Sequence, residues 1–541
     1  MLAATTAAVK PPRRSPFRDC PWPPDHPDWR ALDASLPPDH LARWFDALTD
    51  RLDLGPLRAS YSGRGSQAHP PEHLLAFVLY LLFRGVLAPA AWSVAAHEDQ
   101  PCRWLLRGLT PSRSSLYEFR DRLGPFLDDW HAQVLRWAQQ AGVTAAQQGS
   151  LDGSFVPTRA SRYRLLGGDA LARRLSVLRQ ARAWDNAGPP PPDPDPAWQE
   201  QWQAELTTLW LWLLTIELAW GTYRTPWPRW LARSRRGRRQ QQERYQAALQ
   251  RLQQQQAGHA ARQGRVAKAK RRPAERLKVS VTDADAVLGR DKLGVYRPLL
   301  NLQLVRATDA PLTLAWEVVA RHNDRGQLKP MVQRSERLVG HRPEQLLADG
   351  IYATLSDLHW CEEQGVEVLA PAGPAEGTAT AGGRLPKSAF VWDAQGQTYT
   401  CPEGQRLQLR QRTTERREGI SLAVRVYRAD GRHCLACPRQ KECTSSPQRG
   451  RVVKRYEGEE TQERLRQRMD QEEKQQQYRK RSQSVELGFA DLKTHRGLDT
   501  FRSWGLPRAR IQAGLVLLAC NLMNTQRALL RRQQATALQP P

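Results

Sequence analysis

The chain has 541 residues, enough for a large core and more than one domain. Its 81 Lys and Arg against 55 Asp and Glu leave a formal charge of +26, too large for an ordinary metabolic enzyme, which points to nucleic acid first and an anionic membrane surface second. The membrane reading is disfavoured: the most apolar run, Leu206 to Trp220, is broken by Thr207, Thr208, Thr215 and Glu217 and falls short of the ~20 residues of a span, and no apolar core follows Arg13 and Arg14 as a signal peptide requires.

Residues 1–36 are Pro-rich and read as an irregular leader. Residues 37–145 read as helical, with stripes at Leu41, Trp44, Phe45 and Leu48 and at Leu74, Leu75, Val78, Leu79, Leu82 and Phe83. A further helix is expected to open at Thr110 as N-cap with Pro111 at its first position. Arg103, Arg107, Arg113, Arg120 and Arg122 cluster there, which suits either a DNA-binding module or a bundle with a solvated basic face. Gly149 to Val156 reads as a short strand carrying Asp152. A Pro-rich linker, 188–196, leads to a Trp-rich helical piece over Trp198, Trp202, Trp210, Trp212 and Trp220. From Arg229 to Arg272 there are 14 Lys and Arg against one acid, Glu243: either a helix lying along phosphates or a solvated tail.

Strands are expected at Leu277 to Val281, Leu299 to Val305 and Leu312 to Ala320, with a turn at His322 to Gly326. Gln345 to Ala348 reads as a buried strand ending in Asp349. Ser356 is the expected N-cap of a helix over 357–364, and Val366 to Ala370 returns as a strand. This strand–helix–strand unit argues for an α/β sheet. Residues 373–386 read as a loop. Tyr478 to Leu498 reads as a basic helix on which Glu486 and Lys493, seven apart, share a face, and Pro507 to Leu530 as an apolar helix that packs on the sheet.

Asp152 and Asp349 each follow an apolar run and precede Gly, at strand ends where an open α/β sheet exposes ligands. Three carboxylates converging with Glu486 would repel unless cations bind, and two Mg²⁺ ions about 3.5–4 Å apart can activate a water or 3′-hydroxyl for in-line attack on a phosphodiester. From spacing alone, an Asp before Gly is equally a turn residue. Asp283, Asp285 and Asp324 compete for the acid roles, or are strand-edge and turn residues. Cys401, Cys434, Cys437 and Cys443 have the spacing of a tetrahedral zinc site; the alternatives are reduced free thiols and, behind these, an iron–sulfur cluster. The eight cysteines in this length are not a disulfide scaffold and suit a reducing cytoplasm; Cys361 and Cys520 read as core residues. Tryptophans could stack unpaired bases, though core packing accounts for most of them.

Several segments together resemble bacterial insertion-sequence transposases of the DDE type. They are Leu151 to Ser154, Leu277 to Val287, His322 to Leu328, Leu347 to Tyr352 and Tyr478 to Leu498, in order. The last is the most specific: the family has Tyr, two residues, Arg, a short gap, Glu, six residues, Lys, matched by Tyr478, Arg481, Glu486 and Lys493. Four residues separate Arg481 from Glu486, where the best-known subgroup has three. The resemblance implies a ribonuclease-H-like mixed sheet flanked by helices over 146–530, after a helical domain at 37–145 and before a tail at 531–541. Two insertions would interrupt the core: a Pro/Trp-rich and basic one at 186–275 and a cysteine-rich, zinc-ribbon-like one at 385–450. It further implies a DNA transposase in which Asp152, Asp349 and Glu486 hold two Mg²⁺ ions, for hydrolysis and strand transfer at element ends. Tyr478, Arg481 and Lys493 would hold the DNA. Double-stranded DNA, a homodimer and a nucleoid-associated cytoplasmic setting follow. The alternatives are a non-catalytic DNA-binding protein derived from such an element and a metal-dependent nuclease that only hydrolyses.

Overall fold

The computed structural model describes residues 15–63, 66–187, 230–263, 272–371, 384–417 and 420–537, with isolated positions 196 and 200. The Trp-rich piece and the Pro-rich linker fall almost wholly outside them.

The N-terminal region is helical. At its centre is Pro71–Phe83, buried at every position from Leu74 to Phe83, as an all-apolar helix must be. Leu41–Thr49, Leu127–Gln140 and the late helix Leu506–Ala537 pack on or beside it. Two boundaries differ from expectation. Pro27–Ser35, inside the stretch read as leader, is a helix with Pro27 at its start. The helix after Gly108 is Arg113–Arg122, capped by Ser112 rather than Thr110, because the Ser112 hydroxyl accepts the Ser115 N–H at 3.1 Å.

The principal sheet is mixed. Its strands are β1 (Gln148–Pro157), β4 (Val287–Arg290), β5 (Tyr296–Ala307), β6 (Thr313–Val319), β7 (Gln345–Ala348) and β8 (Glu367–Leu369). β5 pairs antiparallel with β1, β4 and β6, while β1, β7 and β8 run parallel, giving the order β4-β5-β1-β7-β8 with β6 also paired to β5. β5 is buried at every position from Pro298 to Ala307, so both its faces are covered. The Leu506–Ala537 helix ties the sheet to the N-terminal helices. Its Asn521 side chain accepts from Thr313 N at 2.9 Å and donates to Thr313 O at 2.8 Å, satisfying the β6 edge, and Gly514 lies so close to Trp316 that a Cβ would meet the indole at 2.6 Å. The helix after β7 is Leu355–Glu363, capped by Thr354 rather than Ser356, since the Thr354 hydroxyl reaches the Asp357 N–H at 3.2 Å.

Two further units are attached. β2 (Leu165–Leu166) pairs with β3 (Val279–Ser280), which shortens the strand expected over 277–281. Between them the helices Gly168–Ala187 and Arg235–Gln263 pack through Leu171, Leu175, Leu178, Tyr245, Ala248 and Leu252. The described part of the basic segment is therefore a helix with one face buried. The second unit is an antiparallel sheet of β9 (Val391–Asp393), β10 (Thr398–Thr400), β11 (Arg406–Arg417), β12 (Ile420–Arg428) and β13 (Val452–Tyr456). It has its own small core of Phe390, Tyr399, Leu407, Tyr427, Ala429, Cys443 and Val453. The helix Glu459–Met469 leads back to the principal sheet, with Thr461, Arg464 and Arg468 all hydrogen-bonded to Glu362.

Candidate active site

The parallel register of β1 with β7 ends at Leu151 opposite Ala348, so the next residues on the two strands are Asp152 and Asp349. β7 then breaks into the short 3-10 turn Gly350–Tyr352, leaving Asp349 exposed at the strand end. The third acid arrives on a helix running Glu472–Arg481, through a π-turn at Ser482–Glu486, into Leu487–Thr494.

Three contacts lock this helix to one face of β1. Ser150, Asp152 and Ser154 alternate on the strand and so point the same way. Ser484 Oγ lies 2.6 Å from Ser150 Oγ, Arg481 Nη2 lies 3.1 Å from Asp152 Oδ1, and Lys493 Nζ lies 2.6 Å from Ser154 Oγ. Arg481 also reaches Glu486 Oε1 at 3.2 Å through Nη1, so one guanidinium stands between two of the three proposed acids. The π-turn makes this possible. Five residues of α-helix turn about 140° beyond a full circle, which would put Arg481 and Glu486 on different faces. A π-turn closes on the fifth residue and restores a shared face, absorbing the extra residue in their gap.

The Asp152 carboxyl is held above its ordinary pKa by burial; Arg481 opposes this, while Asp324 and Asp349 reinforce it. The Tyr478 hydroxyl is likewise raised, first by burial, with Arg481 opposing and Asp349, Asp152 and Glu486 adding. The Lys493 ammonium is lowered, first by burial and then by Lys292. Asp152, Asp349, Glu486, Tyr478, Arg481 and Lys493 thus share one neighbourhood drawn from three distant segments.

A second polar layer lies on the opposite face of β1, the face of Gly153, which pairs with Gln303. Asp324 Oδ1 accepts from Asn301 Nδ2 and Gln303 Nε2, each at 2.6 Å, and Tyr352 Oη donates to Gln303 Oε1 at 2.6 Å. Gly153 leaves room for this layer: a Cβ there would overlap Asp324 Oδ1 and Gln303 Nε2. Asn301 and Gln303 were not singled out from sequence. Their signal is two amides at i and i+2 inside an otherwise apolar strand. Ser150 and Ser154 had one too, the Ser-x-Asp-x-Ser alternation.

The competing acids fall elsewhere or serve differently. Asp285 Oδ2 accepts the Leu506 N–H at 2.9 Å and caps the long C-terminal helix. Asp283 is buried, and burial is the first cause pushing its pKa up to about 6. Trp92, Trp130 and Trp316 are fully buried core residues.

Among the described residues, no three His, Cys, Asp or Glu side chains converge closely enough to hold a metal ion. At the acid set the donors suit a hard cation in kind, and the Arg481 guanidinium takes the place a cation would have between Asp152 and Glu486. All eight cysteines are free thiols. Cys443 is buried, its pKa raised by burial, opposed by Arg451 and reinforced by the thiols of Cys434, Cys437 and Cys401. The Gln405 N–H points at Cys401 Sγ at 3.3 Å. The four are therefore neighbours, yet do not form a closed donor set as they stand. No helix among the described residues is long and apolar enough to cross a membrane.

Two family profiles match the chain. Residues 30–122 match a transposase domain family (DUF772), and residues 400–525 match a transposase DDE domain. The first covers most of the N-terminal helices. The second covers most of the cysteine-bearing sheet, Tyr478 to Lys493 and most of the last helix; Asp152 and Asp349 lie outside both. No curated protein and no solved structure matches the chain. A DDE domain implies a ribonuclease-H-like core, in keeping with the mixed sheet, and both families indicate transposase function. The two matches, in this order along one chain, are those of an insertion-sequence DDE transposase.

Proposed function

We propose that the chain hydrolyses DNA at the ends of its element and joins the freed 3′-hydroxyl to target DNA, with Asp152, Asp349 and Glu486 as the acid set. The observation that carries this is the meeting of β1, the end of β7 and the Tyr478–Lys493 helix in one polar neighbourhood. The three carboxylates would hold Mg²⁺, which DDE transposase domains use in general and which would supply charge stabilisation and an activated oxygen nucleophile. Metal entry would require Arg481 to leave its position between Asp152 and Glu486. Once released, its guanidinium offers two parallel N–H donors to a DNA phosphate, with Lys493 as a second cation and Tyr478 as a hydroxyl donor. Ser150 and Ser154 orient Ser484 and Lys493, and so fix the height of the helix over β1. The pairing of two element ends asks for two copies of the chain.

We further propose that Cys401, Cys434, Cys437 and Cys443 close on zinc. Their mutual proximity and the Gln405 N–H aimed at Cys401 Sγ support this; closure would need the four thiols to draw together. Metal analysis of purified protein tests it: zinc in wild type that is lost in Cys437→Ser is expected, and absence of zinc from wild type removes the site.

The test of the main proposal is transfer of a labelled terminal fragment into a plasmid with Mg²⁺. Asp349→Ala and Glu486→Ala are expected to abolish joining while the fold persists. Wild-type joining by both would overturn the acid assignment and leave DNA binding alone as the activity.

A further inference from the structure

Behind the helix that carries Glu486 lies a cavity of about 570 Å³. Its walls come from the β5–β6 connection, the back of that helix, the Arg496 turn and the C-terminal helix. Four cations line it, Arg306, Lys480, Arg496 and Arg527, with two acids, Asp309 and Asp491. Both acids are already engaged: Asp309 accepts from Thr144 Oγ1 at 2.7 Å and from Ala145 N at 2.9 Å, and Asp491 pairs with Arg496 at 3.2 Å. With Arg496 paired to Asp491, the lining keeps Arg306, Lys480 and Arg527 against Asp309, an excess of two positive charges.

Arg306 is the telling residue. It is 8% exposed and, among the described residues, its Nε has no hydrogen-bond partner and its side chain makes one hydrogen bond, to Thr313 Oγ1 at 3.4 Å. Its pKa is lowered by burial, with only Cys520 and Asp491 opposing. The helix makes room for it, since a Cβ on Gly488 would overlap the Arg306 side chain. A buried guanidinium with no ion pair among the described residues is costly and calls for an anion. Guanidinium forks match phosphate oxygens in pairs, and the cavity has the volume of a small-ligand site.

We infer that this cavity binds a phosphate group, held by Arg306, Arg527 and Lys480, as a site separate from the acid set. The phosphate belongs either to a DNA backbone running behind the helix or to a free phosphate species. In both cases it would set the position of the helix that carries Glu486. The site does not depend on the acid assignment, because it is read without metal or catalysis.

Thermal unfolding of the full chain, without divalent metal, tests it by comparing pyrophosphate with chloride at equal ionic strength. A pyrophosphate-specific rise in Tm is expected in wild type and is expected to vanish in Arg306→Gln and in Arg527→Ala. No rise in wild type, or a rise that persists in Arg527→Ala and Lys480→Ala, overturns the site. These exposed residues keep the test decisive if Arg306→Gln fails to fold. Duplex DNA titrated against salt then separates the two sources. If the phosphate is DNA's, Arg527→Ala lowers the salt slope by about one and pyrophosphate competes with the duplex. If it is a free species, Arg527→Ala leaves duplex binding unchanged while the pyrophosphate effect is still lost.

Discussion

Two arginines each bridge two carboxylates, one beside each sheet, and they differ in how firmly each is held. Arg455, on the cysteine-bearing sheet, reaches Glu463 through two contacts at 2.8 and 3.0 Å, Glu460 at 3.0 Å and Tyr399 Oη at 3.1 Å, and lies over the Trp392 ring at 4.2 Å. Its side chain is 3% exposed and its pKa is pushed up by these partners against burial. Arg481 makes one contact of 3.1 Å to Asp152 and one of 3.2 Å to Glu486, whose side chain is 54% exposed. The first guanidinium is fixed by packing and paired hydrogen bonds. The second is held only by charges that another cation could satisfy. A bridging arginine thus rivets a fold or keeps a place, according to how many of its bonds survive the loss of one partner.

Substitution should break the likeness between them. Arg481→Ala is expected to reduce strand joining by about a hundredfold or more with a melting temperature close to wild type, measured by plasmid integration and calorimetry. Arg455→Ala should instead cost about 3–5 kcal/mol of local stability by stranding buried partners, seen as faster hydrogen exchange over residues 391–456. Core truncation sharpens the contrast between the sheets: Trp316→Ala should lower the whole-molecule transition by about 3–5 kcal/mol, whereas Leu407→Ala should loosen only the small sheet. A pH series adds a third distinction. The Asp283 pKa of about 6 lies above its unfolded value, so its contribution is present below pH ~4 and lost as pH rises through about 6. Asp283→Asn should remove that fall, worth up to about 3 kcal/mol, in denaturant titrations at pH 4 and 7. The smallest effects are at glycines: Gly153→Ala should cost about 1–3 kcal/mol by overlapping Asp324 and Gln303. Gly404→Ala, in open space at φ +76°, should cost only about 1 kcal/mol of backbone strain.

The same contrast explains what could be read in advance. In the buried sheet, polar residues stand out against apolar runs, so Asp152 and Asp349 could be picked out as candidates, and Glu486 through its neighbours Tyr478, Arg481 and Lys493; Asp349 lies at the strand end expected of it, whereas Asp152 lies in the middle of β1. The amides Asn301 and Gln303 escaped because a strand buried on both faces carries no alternation to set its polar positions apart; by register they share the Gly153 face of the sheet, not the Asp152 face. In the small sheet, β11 is exposed at most positions and its long Arg- and Gln-rich run gives weak strand signal; there the cysteines were legible and the five-stranded architecture was not. The caps at Ser112 and Thr354 were each misjudged by two residues. Which hydroxyl reaches the third N–H depends on where the chain enters the helix, and adjacent Ser and Thr offer equal candidates.

The π-turn at Ser482–Glu486 has a consequence for how such chains are recognised. What keeps Arg481 and Glu486 together is an angle about the helix axis, and a count of residues stands for that angle only while the helix stays regular. A pattern that fixes the count between cation and acid would discard this chain although its geometry complies. Deleting Gln483 should return the segment to ordinary helix with Arg481 and Glu486 still on one side, so the two spacings are dialects of a single arrangement.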